Sequence, residues 1–172
     1  MTYAVTHFIV AMLITRLLAK KCFKLKDLRL ISFIGGMGGI LPDFDFLGYY
    51  LKKFLSLSIS LSQNYLGHRT LTHSLIFALF FLALALFFYK KKNISMALIV
   101  ISLGVTIHIT LDFFTANNLT IFYPISDMTS GFDIVPGSNF YEKTKLIATL
   151  DALLFLGWIS WVFFKKKLTD FV

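Results

Sequence analysis

The sequence predicts an all-α fold: a polytopic transmembrane helical bundle of about five spans, one of them short, in a single domain over residues 1–172. Three observations predict it. Hydrophobic residues make up 57% of the chain and charged ones 15%, with twenty Phe, too little polar surface to wrap a soluble core. The apolar residues gather into runs that approach the roughly 20 needed to cross a bilayer. Most basic residues fall between those runs, not within them.

The first run, 2–19, is interrupted by His7 and Arg16. Its lysines follow the apolar stretch, the reverse of a secretory signal, so it reads as a retained span. The second, 30–41, is short and contains "GGMGG". Gly35 and Gly39 stand four apart on a helix, a spacing that permits close helix packing. As a phosphate loop the stretch fails, because no Gly-Lys-Ser/Thr follows. Segment 46–62 mixes "YYLKK" with "FLSLSISLS" and suits the membrane interface. Runs 70–89, 93–111 and 146–164 supply three further spans. Between the last two, 115–144 is polar and is broken by Pro124, Gly131, Pro136 and Gly137. The segments expected outside the cytoplasm are therefore about 42–69 and 115–144.

Charge sets the expected threading. Lys20, Lys21, Lys24, Lys26 and Arg29, then Lys90–Lys92, then Lys165–Lys167 place eleven of the seventeen basic residues on one side. Lys52, Lys53, Arg69, Lys143 and Lys145 fall on the other. By the positive-inside rule the protein belongs in the cytoplasmic (inner) membrane, N-terminus outside and C-terminus cytoplasmic. The formal net charge of +8 is thereby explained without nucleic acid. A single Cys22 excludes an internal disulfide and any redox pair. The triplet Asn118-Leu119-Thr120 fits a glycosylation sequon of a kind that arises often by chance.

Ionisable residues inside a span cost on the order of 2.5–3.5 kcal/mol at its centre, so they usually have a task. At about 1.5 Å per residue, His7, Asp43, His73, His108, Asp112 and Asp151 each stand roughly 20–30 Å from the nearest cytoplasmic Lys or Arg. In a hydrocarbon core about 30 Å thick, that is one layer in the outer third. All four histidines belong to it, His68 included. Arg16 is the exception, about 6 Å from the inner edge, where it can snorkel.

Local spacing adds detail. In "HITLD", His108 and Asp112 are four apart and share a helix face, where they could hold one divalent ion or simply hydrogen-bond each other. In "LPDFDF", Pro42 ends the second run. If the chain is extended there, Asp43 and Asp45 point the same way; the alternative is an ordinary helix-terminating turn. Asp43 is the better ligand of the two, because Pro42 anchors it next to the span. In "GHRTLTHS", His68 and His73 are candidate ligands and Thr70 or Thr72 can cap the next helix. Arg69 offers a fork suited to phosphate or carboxylate. The plainer alternative is a cap with interfacial polar residues.

Taken together, His7 in the first run, "LPDFDF", "GHRTLTHS", "HITLDFFT" and Tyr123-Pro124 resemble the YdjM-like family of predicted membrane-bound, metal-dependent hydrolases. Any one motif is weak, whereas the ordered set is specific. The resemblance implies a helical membrane fold distantly similar to zinc-dependent phospholipase C. It also implies metal-binding or catalytic positions at His7, Asp43, His68, His73, His108 and Asp112. Family members commonly carry a Gly shortly after the "DxxT" portion, where this chain has Ala-Asn-Asn after Thr115. The LexA control described for the family concerns expression and implies no site.

Such a set of His and Asp exceeds the three protein ligands of an ordinary catalytic zinc site, so one or two divalent ions are expected, zinc first, with manganese or another ion as the alternative. Asp45 or Asp151 could serve as general base, and Arg69 could stabilise developing negative charge. For Asp151, outside the resemblance, a helix-packing hydrogen bond is the competing role. Ser74 beside His73 does not make a serine hydrolase, since no Gly-x-Ser-x-Gly is present. The depth of the layer points to a membrane lipid or lipid-linked phosphoester as substrate. The rival expectations are a divalent-metal transporter or a metal-binding membrane protein without catalysis, and a purely structural cluster.

Overall fold

The computed structural model describes residues 4–21, 28–45, 70–116 and 118–164. His68, Arg69, the 46–62 segment and the lysines of 165–167 lie outside the described residues. Helix α1 spans Ala4–Lys21 and α2 spans Leu28–Ile40, followed directly by a 3-10 turn, Leu41–Phe44. A second 3-10 turn, Leu71–His73, leads into α3, Leu75–Phe87. Helices α4, Lys92–Thr115, and α5, Phe140–Phe164, complete the order. Among the described residues there is no strand, only an isolated bridge between Leu119 and Ser130.

Glycine lets α2 pass between α1 and α4. A Cβ on Gly39 would stand 2.7 Å from the His7 carbonyl oxygen and 2.5 Å from Ala11 Cβ. A Cβ on Gly104 of α4 would strike the Gly35 carbonyl and lie 2.8 Å from the Gly38 carbonyl carbon. Backbone therefore meets backbone on both sides of α2, as the spacing of "GGMGG" predicts. Helix α3 packs on the other side of α4, where Ala78, Val105, Ile109, Ala116 and Leu119 form a buried apolar cluster. Helix α5 leans chiefly on α1.

Among the described residues two helices, α4 and α5, are long and apolar enough to cross a membrane. Helix α3 is apolar but has 13 residues, about 20 Å against a hydrocarbon core of about 30 Å. The apolar run at 70–89 is longer than its helix for a local reason. The 3-10 turn takes 71–73, Ser74 becomes the N-cap, and a turn at 88–90 closes the other end. Ser74 Oγ accepts from Phe77 N–H and donates to the Leu71 carbonyl at 2.7 Å. The cap is thus Ser74, neither Thr70 nor Thr72, because the intervening turn moves the helix start to Leu75.

Segment 118–139 folds back over the end of α4. The amides of Phe132 and Ile134 donate to the carbonyls of Phe113 and Phe114 at 2.8 and 3.0 Å, satisfying groups that a helix C-terminus leaves open. Ile121 accepts from the Leu75 amide at 2.9 Å, tying the same segment to the start of α3. The Tyr123-Pro124 peptide is cis.

Candidate metal centre

The packing of α1, α2 and α4 brings the N-terminal end of α1 and the C-terminal ends of α2 and α4 together with the two 3-10 turns. His7 comes from α1, Asp43 from the first turn, His73 from the last position of the second, and His108 and Asp112 from successive turns of α4. His7, His73, His108 and Asp112 are all buried, at 3% exposure or less. Two overlapping groups result, His7–His108–Asp112 and Asp43–His73–His108. His108 is common to both; its ring stacks on His7 at 4.0 Å and meets His73 edge-on at 4.9 Å.

The hydrogen bonds around the rings decide which nitrogens carry protons. His108 Nδ1 is 2.7 Å from the Gly39 carbonyl oxygen. A carbonyl only accepts, so Nδ1 bears a proton, and in the neutral ring Nε2 presents a lone pair. Thr72 Oγ1 donates its one proton to Asp45 Oδ2 at 3.0 Å and lies 3.0 Å from His73 Nδ1. That nitrogen is therefore the donor to Thr72, and in the neutral ring His73 Nε2 likewise presents a lone pair. Both imidazoles are held by partners behind them, the arrangement in which metal-binding histidines are usually oriented.

In front, acceptors face acceptors. His73 Nε2 lies 3.6 Å from Asp43 Oδ1 and 3.6 Å from Asp112 Oδ2. His108 Nε2 lies 3.8 and 3.7 Å from the same two oxygens. These separations exceed ordinary hydrogen-bond length. They approach the edge of a tetrahedron, about 3.3–3.6 Å for donors bound at about 2.0–2.2 Å. His7 Nε2 adds a contact of 3.4 Å to Asp112 Oδ1. Two carboxylates drawn together in a largely buried site are costly unless positive charge balances them. One divalent ion does so in sign and magnitude, and the residues present fit that group.

The two candidate carboxylates of "LPDFDF" enter by a turn, not by an extended strand. Asp45 N–H reaches back to the carbonyls of Pro42 and Asp43, and Pro42 occupies the first positions of the turn, where its fixed φ is tolerated. Asp43 consequently faces His73 Nε2, whereas Asp45 Oδ2 stands 3.6 Å from His73 Nδ1 on the opposite edge of the ring. Asp45 thus sits behind the donor set. Asp151 lies outside both groups, accepting from Thr6 N–H at 2.7 Å and from Thr6 Oγ1 at 2.6 Å in the first turn of α1. Thr72 and the Gly39 carbonyl escape a sequence reading that searches for ligands. The only signal for Thr72 is its position next to His73.

Comparison with known proteins bears on what this chain is. The uncharacterized protein YvsG of Bacillus subtilis (strain 168) is 33% identical over 96 residues, which is 55% of this chain and 58% of that protein. No solved structure matches. The YdjM inner membrane protein family model matches residues 1–168, and the chain belongs to that family.

Proposed function

We propose that this membrane protein is a metal-dependent hydrolase that cleaves a phosphoester, of a lipid or a lipid-linked group, at the outer face of the bilayer. The observation that carries the reading is the ring of four acceptor atoms from His73, His108, Asp43 and Asp112, at 3.6–3.8 Å, with all but Asp43 buried. His7 completes a donor set for one or two divalent ions, zinc foremost, with manganese or another divalent ion as the alternative. A bound divalent ion supplies Lewis-acid polarisation of a phosphoryl oxygen and acidifies water.

The chain's own residues do the rest. The Gly39 carbonyl holds the proton on His108 Nδ1, and Thr72 with Asp45 holds the one on His73 Nδ1, so both rings keep their orientation. Packing of α2 against α1 and α4 excludes bulk water from the inner side of the centre. In this proposal His68 is a further ligand, and Arg69 neutralises the phosphoryl oxygens. Asp45, close behind His73, is the nearer proton acceptor; Asp151, already hydrogen-bonded twice by Thr6, suits helix attachment. The remaining helices enter or cross the bilayer with α4 and α5, N-terminus outside and C-terminus cytoplasmic, as the lysines predict.

The test is hydrolysis of a phosphodiester panel, from a water-soluble nitrophenyl diester to phosphatidylglycerol, by detergent-purified protein loaded with zinc or manganese. Metal-dependent turnover, lost in His73→Ala, is expected. Stoichiometric metal with no turnover of any member would refute hydrolysis and leave a metal-binding or metal-transport protein.

A further inference from the structure

Beside the metal centre lies a cleft of about 320 Å³, near the lower end of the roughly 300–1,000 Å³ common for ligand sites. Its walls come from α1, α4, α5 and the segment before α5, and they are almost wholly apolar: Leu111, Val135, Pro136, Ile147 and Leu150 line it. Thr6, His7 and Thr115 are its polar margin. The His7 imidazole contacts Asp112 at 3.4 Å, so one ring separates the cleft from the donor set. Leu111 and Asp112, neighbours on α4, divide in the same way, one to the cleft and one to the centre.

The cleft is built, not left over. Its outer wall, 134–136, is fixed to the end of α4 by the Ile134 amide and to the start of α5 by a 2.7 Å ion pair from Lys143 to Asp133. Asp133 sits at φ 47, a left-handed conformation that Asp tolerates better than most residues. A connection between helices would ordinarily turn polar residues to water, yet this one lines an apolar cleft with Ile134, Val135 and Pro136. The flanking α5 is an apolar helix of membrane-spanning length, so in a bilayer the cleft would border hydrocarbon.

We propose that this cleft holds one hydrocarbon chain of a membrane lipid phosphoester and thereby brings its phosphate to the metal centre; the inference rests on the hydrolase reading above. It makes the wall residues Leu150 and Val135 determinants of chain recognition. They are positioning residues, and they touch no reacting atom.

The test uses full-length, metal-loaded protein in detergent and a phosphatidic acid with a diazirine near the end of one acyl chain. Adducts are mapped by peptide mass spectrometry, and metal content is read from the same samples. Adducts should concentrate at 134–136 and 146–150, about tenfold over the exposed apolar stretch 153–156 of α5, because seating even two more methylenes is worth about that factor. Dihexadecyl phosphate should displace them, while inorganic phosphate should not. Leu150→Trp should suppress them with metal content unchanged, and Val135→Trp fills the cleft from the other wall if the first variant does not fold. Uniform labelling with metal bound overturns the inference alone, as does equal displacement by diacylglycerol, which would sever the chain site from the phosphate. Absence of metal from every sample overturns both this inference and the hydrolase reading.

Discussion

Helices α4 and α5 are nearly the same length, 24 and 25 residues, and both are apolar enough to cross a membrane. Within their most apolar stretches, however, 39% of α4 is buried inside the protein against 6% of α5. The difference follows from what interrupts the apolar residues. Helix α4 carries Gly104 where the α2 backbone passes, Ser102 donating to the Ala78 carbonyl at 2.8 Å, and His108 and Asp112 at the centre. Helix α5 carries Asp151, which holds it to α1, and Gly157, with open space around it. Hydropathy tells that a helix can enter lipid. Small and ionisable residues tell which helix the others are built around.

The comparison can be broken at matched positions. Gly104→Val drives a side chain into the α2 backbone and should cost about 1–3 kcal/mol or more, read as a fall in the detergent unfolding temperature. A neutral result would mean that α2 and α4 do not pack as described. Behind the centre, Asp45→Asn removes the carboxylate that orients Thr72 and His73 and should weaken metal binding about 10–100-fold in a competitive chelator titration. Unchanged affinity would remove Asp45 from the account. Asp151→Ala, on the peripheral helix, strips a cap from the first turn of α1 and should cost about 0.5–2 kcal/mol while the metal content holds. Loss of the metal would instead bring α5 into the centre. At the small end, Gly157→Ala should stabilise by about 0.5–1 kcal/mol, because nothing meets its Cβ and a mid-helix Gly is entropically costly.

Much of the centre was legible before any fold was known. Counting rise per residue places His7, Asp43, His73 and His108 at one depth, and a spacing of four puts His108 and Asp112 on one face; the structure brings these five together. Turn chemistry was harder to read. Pro42 suits both a chain break and a 3-10 turn, and only the packing of α2 decides between them. Apolar runs also overstate helices: the run at 70–89 includes a 3-10 turn and a cap that hydropathy cannot distinguish from span, so α3 is shorter than a bilayer. The bond from Thr6 to Asp151 joins residues 145 apart, a pairing no local pattern encodes. Asp151 shares the depth of the donors for a different reason, to attach one helix to another.

The central claim is that the ring of acceptors exists to hold a cation. Elemental analysis of detergent-purified wild type beside His108→Ala, both checked for helicity by circular dichroism, tests it most directly. The account predicts about one to two equivalents of a divalent metal in the wild type and a tenth or less in the variant, since His108 belongs to both donor groups. Metal absent from both proteins after purification without chelators and reloading with zinc or manganese would contradict it, leaving the His and Asp residues as a polar core that joins helices.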